Sequence, residues 1–177
     1  SSENIRLGDP DSTLTLDSLV FSMSLAGYQG DTNTSLVLRV HRLAGTVAPI
    51  RTYYSRDPVR TIGEPLGQSI YRYRSGVIDP INEPVGQNLD SVIKYSGILR
   101  MRLDQTTAGL QLAQGLLAGK DSVEYKDAGS FVRFLNGLWV EAQTAPNILR
   151  NGNGLLLQSS PVATRTGLYL YYKNGSQ

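Results

Sequence analysis

Cysteine is absent from this chain, and histidine occurs once, as His41. The first absence removes thiol nucleophiles, disulfide frameworks and cysteine-ligated metals. The second means that a histidine general base or a zinc centre would have to be built around one side chain. Charge of one sign is also scarce: 17 basic against 15 acidic residues leave a net +2. Such a balance gives no strong field toward nucleic acid or anionic lipid. No apolar run approaches the ~18 residues of a membrane helix. The opening Ser1-Ser2-Glu3-Asn4 has neither the basic nor the apolar region of a secretory signal. Nucleophile-elbow and P-loop spacings, which expose a Ser or aim backbone amides at phosphate, do not occur. Asp31-Thr32-Asn33 opens like a calcium loop, but its twelfth position is Arg42, and Asp9-Pro10-Asp11-Ser12 fails likewise. No metal and no cofactor is therefore expected.

What is present is a period of two. The 177 residues and 19.3 kDa fit one domain with a core of its own. Leu19, Phe21, Met23 and Leu25 alternate with Val20, Ser22 and Ser24. Leu36, Leu38 and Val40 alternate with Val37, Arg39 and His41, and Leu99, Met101 and Leu103 with Arg100 and Arg102. Leu168, Leu170 and Tyr172 do the same near the end. Side chains of a strand point to opposite faces in turn, so this pattern marks antiparallel strands with one face on a core. The runs Leu138-Trp139-Val140 and Leu155-Leu156-Leu157 read as strands buried on both sides.

Helix is confined to one region. Residues 108–118 carry Leu110, Leu112, Ala113, Leu116 and Leu117, and residues 128–135 carry Phe131, Phe134 and Leu135 at helical spacing. Asn136-Gly137 supplies a stop, with Gly expected in the left-handed conformation. Strands continue on both sides of this region, so a βαβ arrangement does not fit. The expectation is an all-β, two-sheet antiparallel, jelly-roll-like sandwich with two short helices. Phe131, Phe134, Leu135, Leu138 and Trp139 should close one end of it. Residues 44–97 hold five of the eight Pro and read as a long irregular insertion with short strands near 67–73 and 92–95.

The same insertion concentrates charge. Between Arg39 and Arg74 seven arginines face only Asp57 and Glu64. Arg51, Tyr53, Tyr54, Tyr71, Arg72, Tyr73 and Arg74 interleave aromatic faces with planar cations. Tyr offers contact area at low entropic cost, and Arg offers paired donors to a carboxylate or sulfate. These seven are the candidate ligand-binding residues, suited to an anionic polysaccharide or an acidic protein. The competing structural reading puts Tyr71 and Tyr73 in the core and leaves Arg72 and Arg74 solvated. His41, beside Arg39 and Arg42, reads as an exposed strand histidine. Paired carboxylates working as a glycosidase are the enzymatic alternative, but nothing in the sequence places two acids together.

Several stretches read together resemble one family. They are Asp17-Ser18-Leu19-Val20-Phe21, Tyr28-Gln29-Gly30-Asp31, Leu38-Arg39-Val40-His41-Arg42-Leu43, Tyr53-Tyr54-Ser55 and Leu99-Arg100-Met101-Arg102-Leu103-Asp104. Phe131-Val132-Arg133-Phe134-Leu135-Asn136-Gly137-Leu138-Trp139-Val140 and Leu168-Tyr169-Leu170-Tyr171-Tyr172 complete the set. In order and spacing these are similar to the Bacteroidetes surface lipoproteins catalogued as domain of unknown function 4270. The resemblance implies an extracytoplasmic, outer-membrane or cell-surface address, reached through a lipid anchor that this chain does not carry. It implies no catalytic residues. Where the family has an aromatic–acidic pair, this chain has His41-Arg42. The organisation expected is residues 1–16 as the remnant of a longer precursor, 17–173 as one sandwich domain and 174–177 as a tail. The expected role is a non-catalytic surface domain for binding or scaffolding at the cell envelope, with a polysaccharide or a surface protein as partner and not nucleic acid.

Overall fold

The computed structural model describes residues 7–8, 12–48, 51–54, 57–73, 78–82, 92–144 and 154–175. Its spine is β1 (Leu14–Gly30), which pairs on one side with β6 (Ile98–Arg102). On the other side lie β8 (Leu155–Ser160) and β9 (Gly167–Asn174), end to end along the same strand. The chain leaves this ladder after Ser160 and rejoins it at Gly167. Thr166 fills the gap: its Oγ1 accepts from the Ser24 N–H at 3.0 Å and donates to the Ser160 carbonyl at 2.7 Å. The second sheet has β2 (Ser35–Leu43) between β3 (Thr61–Arg72) and β7 (Leu138–Thr144). A hairpin of β4 (Ile78–Asn82) and β5 (Val92–Ser96) precedes β6. All pairings are antiparallel, and the two-sheet sandwich expected from the alternation is present.

The core is built from the predicted alternating positions. Leu19 and Phe21 of β1 meet Leu36, Leu38 and Val40 of β2, with Leu99, Met101 and Leu103 beside them. Leu19, Val40 and Leu103 are fully buried. At one end sits α1 (Thr107–Ala118), which buries Gly109, Leu112, Ala113 and Leu116, one helical stripe. Its N-cap, Thr106, accepts from the Gly109 N–H at 2.9 Å and donates to the Leu66 carbonyl at 2.6 Å. Two short 3-10 turns follow, and Tyr125 turns inward so that its hydroxyl donates to the Leu116 carbonyl at 2.6 Å. Burial pushes that phenol up to about 12. The second helix, α2 (Ala128–Leu135), starts at Asp127, whose carboxylate accepts from the Ser130 N–H at 2.9 Å. Among the described residues no helix is long and apolar enough to cross a membrane.

Four expectations need correction. The insertion over 44–97 is not irregular throughout, because β3 is a full member of the second sheet. Between Val40 and Arg42 of β2 the partner moves from Gly67 to Ile62, so Gly63, Glu64, Pro65 and Leu66 form a wide bulge. That bulge tolerates Pro65, which could not donate to a regular ladder, and it masks the alternation. The helix stop is carried by Asn136, at φ 64°, and not by Gly137 alone. Strands β7 and β8 are not buried on both faces: Trp139 is 43% exposed and Leu156 64%. Trp139 therefore does not help close the end of the sandwich. Phe131, Phe134, Leu135 and Leu138 do pack there, partly buried, while the fully buried contribution comes from α1 and Tyr125.

Candidate functional site

The segment after β2 leaves the second sheet at Leu43 and returns at Thr61, which pair across the sheet. Its neck is closed by the Ala44 N–H donating to the Arg60 carbonyl at 2.9 Å. Inside the loop two tight turns fix the side chains. The Arg51 N–H donates to the Ala48 carbonyl at 3.1 Å, and the Ala48 N–H donates to the Tyr53 hydroxyl at 2.9 Å. The Asp57 N–H donates to the Tyr54 carbonyl at 2.9 Å, while the Asp57 carboxylate accepts the Tyr54 N–H at 3.1 Å. Such side-chain-to-backbone bonding is what makes Asp a turn former. Arg51 lies 5.0 Å over the centre of the Tyr53 ring and 3.8 Å from the Asp57 carboxylate. A cation held over an aromatic face in this way gains attraction from the ring quadrupole.

Against this loop stand the first two residues of β7, Leu138 and Trp139. Together they enclose an open groove of about 860 Å³, floored by Leu43 and Leu138. Tyr53, Tyr54 and Trp139 line it at 46%, 60% and 43% exposure, with Arg51, Asp57 and Arg60 as its charged groups. Single exposed aromatics are ordinary, but three around one concavity form the kind of apolar patch that marks a binding groove. The arrangement can stack flat apolar faces and present two cations, and it holds a single carboxylate already engaged with Tyr54 and Arg51. Among the described residues no group of three or more His, Asp or Glu side chains is placed to hold a metal ion.

The seven residues singled out in the sequence divide between two places. Arg51, Tyr53 and Tyr54 form the groove. Tyr71, Arg72 and Tyr73 lie at the far end of β3, about 27 Å away along the nine residues of β2 from Leu43 to Ser35. Tyr71 is partly buried and packs onto the core. Tyr73 contacts Tyr28, ring centres 4.1 Å apart, and Arg72 is exposed on the outer face. Arg74 lies outside the described residues. His41 also departs from its expected setting. Its side chain is only 15% exposed, and its Nε2 is 3.4 Å from a Glu141 carboxylate oxygen supplied by the neighbouring strand. It is thus a partnered histidine in a mostly covered position.

Trp139 is the groove aromatic that sequence reasoning missed, and Asp57 and Arg60 are groove residues outside the seven as well. The signal was available, since Leu138 and Val140 pack inward and strict alternation sends Trp139 out. A second cluster was also missed, on the outer face of the first sheet. There Tyr169 and Tyr171 stack at 6.5 Å, and Arg100 donates to the Tyr171 hydroxyl at 2.8 Å while lying 5.7 Å from the Tyr169 ring centre. Across the ladders Tyr171 is beside Ser18, Tyr169 beside Val20 and Arg100 beside Ser22, and these three residues of β1 are buried. Comparison of the chain with protein-family models, curated proteins and solved structures finds no match.

Proposed function

We propose that this is a non-catalytic surface domain that binds carbohydrate in the groove between the 44–60 loop and β7. The observation that carries the reading is the ring of three exposed aromatics, Tyr53, Tyr54 and Trp139, around one concavity. Sugar rings present flat faces of C–H groups that such side chains cover, and rigid aromatics lose little entropy in doing so. The competing reading is a carboxylate-dependent glycosidase, which requires two carboxyl groups facing one cleft. In the described lining Asp57 is the acid, and its hydrogen bonds are spent on the loop that carries Tyr54. The resemblance to the Bacteroidetes surface lipoproteins supports an extracytoplasmic address at the outer membrane, through a lipid anchor on a longer form.

A glycan array on the purified domain, followed by titration of the best ligand, tests the reading. Trp139→Ala and Tyr54→Ala should each weaken binding about tenfold or more, roughly 1.4 kcal/mol, with the melting temperature little changed. Full retention of binding in both variants would remove the groove from consideration. Membrane fractionation of cells expressing the native gene tests the address; recovery in the cytosol would refute it.

A further inference from the structure

The groove and Arg72 stand at opposite ends of the second sheet and are joined by its outer face. Leu36, Leu38 and Val40 point into the core, so Ser35, Val37, Arg39 and His41 point out. Their direct neighbours on β7 are Trp139 beside His41, Glu141 beside Arg39 and Gln143 beside Val37. On β3 they are Gln68 beside Arg39, Ile70 beside Val37 and Arg72 beside Ser35. This outer face begins at the groove, with Trp139 as the shared residue, and ends at Arg72.

Its middle is a fixed array of planar polar groups. Arg39 donates to Gln68 at 2.7 Å and to Gln143 at 2.8 Å, and Gln143 donates to Glu141 at 2.7 Å. The Glu141 carboxylate, the acid of this array, is held by Arg39 at 3.5 Å and His41 at 3.4 Å. Going along β2, Arg51 and Arg60 stand at one end, Arg39 in the middle and Arg72 at the other. Four arginines against Asp57 and Glu141 leave the line positive. Groups already locked by mutual hydrogen bonds lose little freedom when a ligand settles on them.

We propose that the groove is one end of a track across the outer face of the second sheet, and that the track takes an extended acidic polysaccharide of the uronate class. The proposal rests on the carbohydrate reading of the groove. Trp139 and Tyr54 stack the first sugar rings, and carboxylates further along the chain meet Arg39 and Arg72. Cations set at intervals along the face, Arg39 partly exposed and Arg72 exposed, match a polymer whose charge repeats along its length better than a compact ligand with one charge.

The test is titration of the intact domain with a galacturonate disaccharide, a galacturonate oligomer long enough to span about 27 Å, and an uncharged galactan of equal length. A ligand that engages several subsites gains affinity with each, so the long acidic oligomer should bind about tenfold or more tighter than the disaccharide. Arg72→Ala, an exposed substitution, should weaken the long oligomer several-fold and leave the disaccharide unchanged. Arg39→Ala should do the same, with melting curves confirming the fold, and Trp139→Ala should weaken both. Equal affinity for short and long oligomers, with no effect of Arg72→Ala, would overturn the track and leave the groove standing. Tighter binding of the galactan would overturn the acidic class alone, and tighter binding of a single-stranded polynucleotide would overturn the ligand class altogether. If no galacturonate binds, the track is refuted, and the array result for Trp139→Ala decides the groove separately.

Discussion

The seat of α1 against the sandwich depends on one missing methyl group, and the same helix contains its own control. Gly109 is buried in the first turn of α1, where a Cβ would lie 2.5 Å from the Leu66 carbonyl oxygen and 2.6 Å from the Leu103 carbonyl carbon. Both obstacles are backbone, so no rotamer change relieves them. Gly115 lies in the same helix, and a Cβ there would meet nothing within 4 Å. In an unobstructed helix, Gly→Ala gains about 1 kcal/mol from propensity. Overpacking a filled site costs about 1–3 kcal/mol, and a backbone obstacle belongs at the upper end of that range. Making room means lifting α1, which loosens Leu112, Ala113 and Leu116 and stretches the bond from Thr106 to Leu66. Gly109→Ala should therefore destabilise the protein by about 2 kcal/mol net, and Gly115→Ala should stabilise it by about 0.5–1 kcal/mol. For a chain of this size these become a fall of about 4–8 °C and a rise of about 1–4 °C in melting temperature. Urea titration and thermal melts by circular dichroism read both. A Gly109→Ala protein as stable as the parent would refute the close seating of the helix. A destabilised Gly115→Ala protein would refute the propensity half of the argument.

Two further perturbations probe the joints around the helices. The Arg42 guanidinium donates to the Phe134 and Leu135 carbonyls at the end of α2 and lies 5.4 Å over the Phe134 ring, so Arg42→Ala should cost about 1–2 kcal/mol in a urea titration. An unchanged midpoint would show that the helix end needs no cation. Asp104 is held below the ordinary carboxylate range, first by its hydrogen bond from Arg102 and, more weakly, by the Leu19 N–H at 3.1 Å, against opposing desolvation. A lowered folded pKa gives stability that is complete above the unfolded value of about 3.9 and disappears as pH falls through the folded value. Asp104→Asn should accordingly lower stability at neutral pH and flatten its fall in that acid window. An unchanged acid limb would show that the Arg102 pairing contributes nothing.

Much of the sandwich is legible in the sequence because four of its strands have one face on the core and one on water. For Leu36, Leu38 and Val40 the alternation states which side chains are inside, and the structure buries all three. Helix α2 is equally legible, starting and stopping where Asp127 and Asn136 cap it. β3 is not, because its bulge inserts extra residues opposite the single position His41 and breaks the period. The edge strands β7 and β8 are a different failure. An apolar triplet is what a strand covered on both faces looks like, but it is also what an edge strand looks like when one apolar side chain faces out.

That ambiguity is the reason the site was only half readable. The interleaved Tyr and Arg are visible as a local pattern, yet which of them share a surface is decided by pairings between distant segments. Pairing of β2 with β3 carries Tyr71 and Tyr73 to the far end of the sheet, away from Tyr53 and Tyr54. Pairing of β2 with β7 brings Trp139 beside His41 and so up to the loop. Neither pairing has a local signature, because strand register is set by which hydrophobic faces meet and not by the residues that point outward. Outward-facing residues are then free to vary with function. In this molecule they assemble an aromatic groove and a line of arginines, which together draw on three strands and one loop.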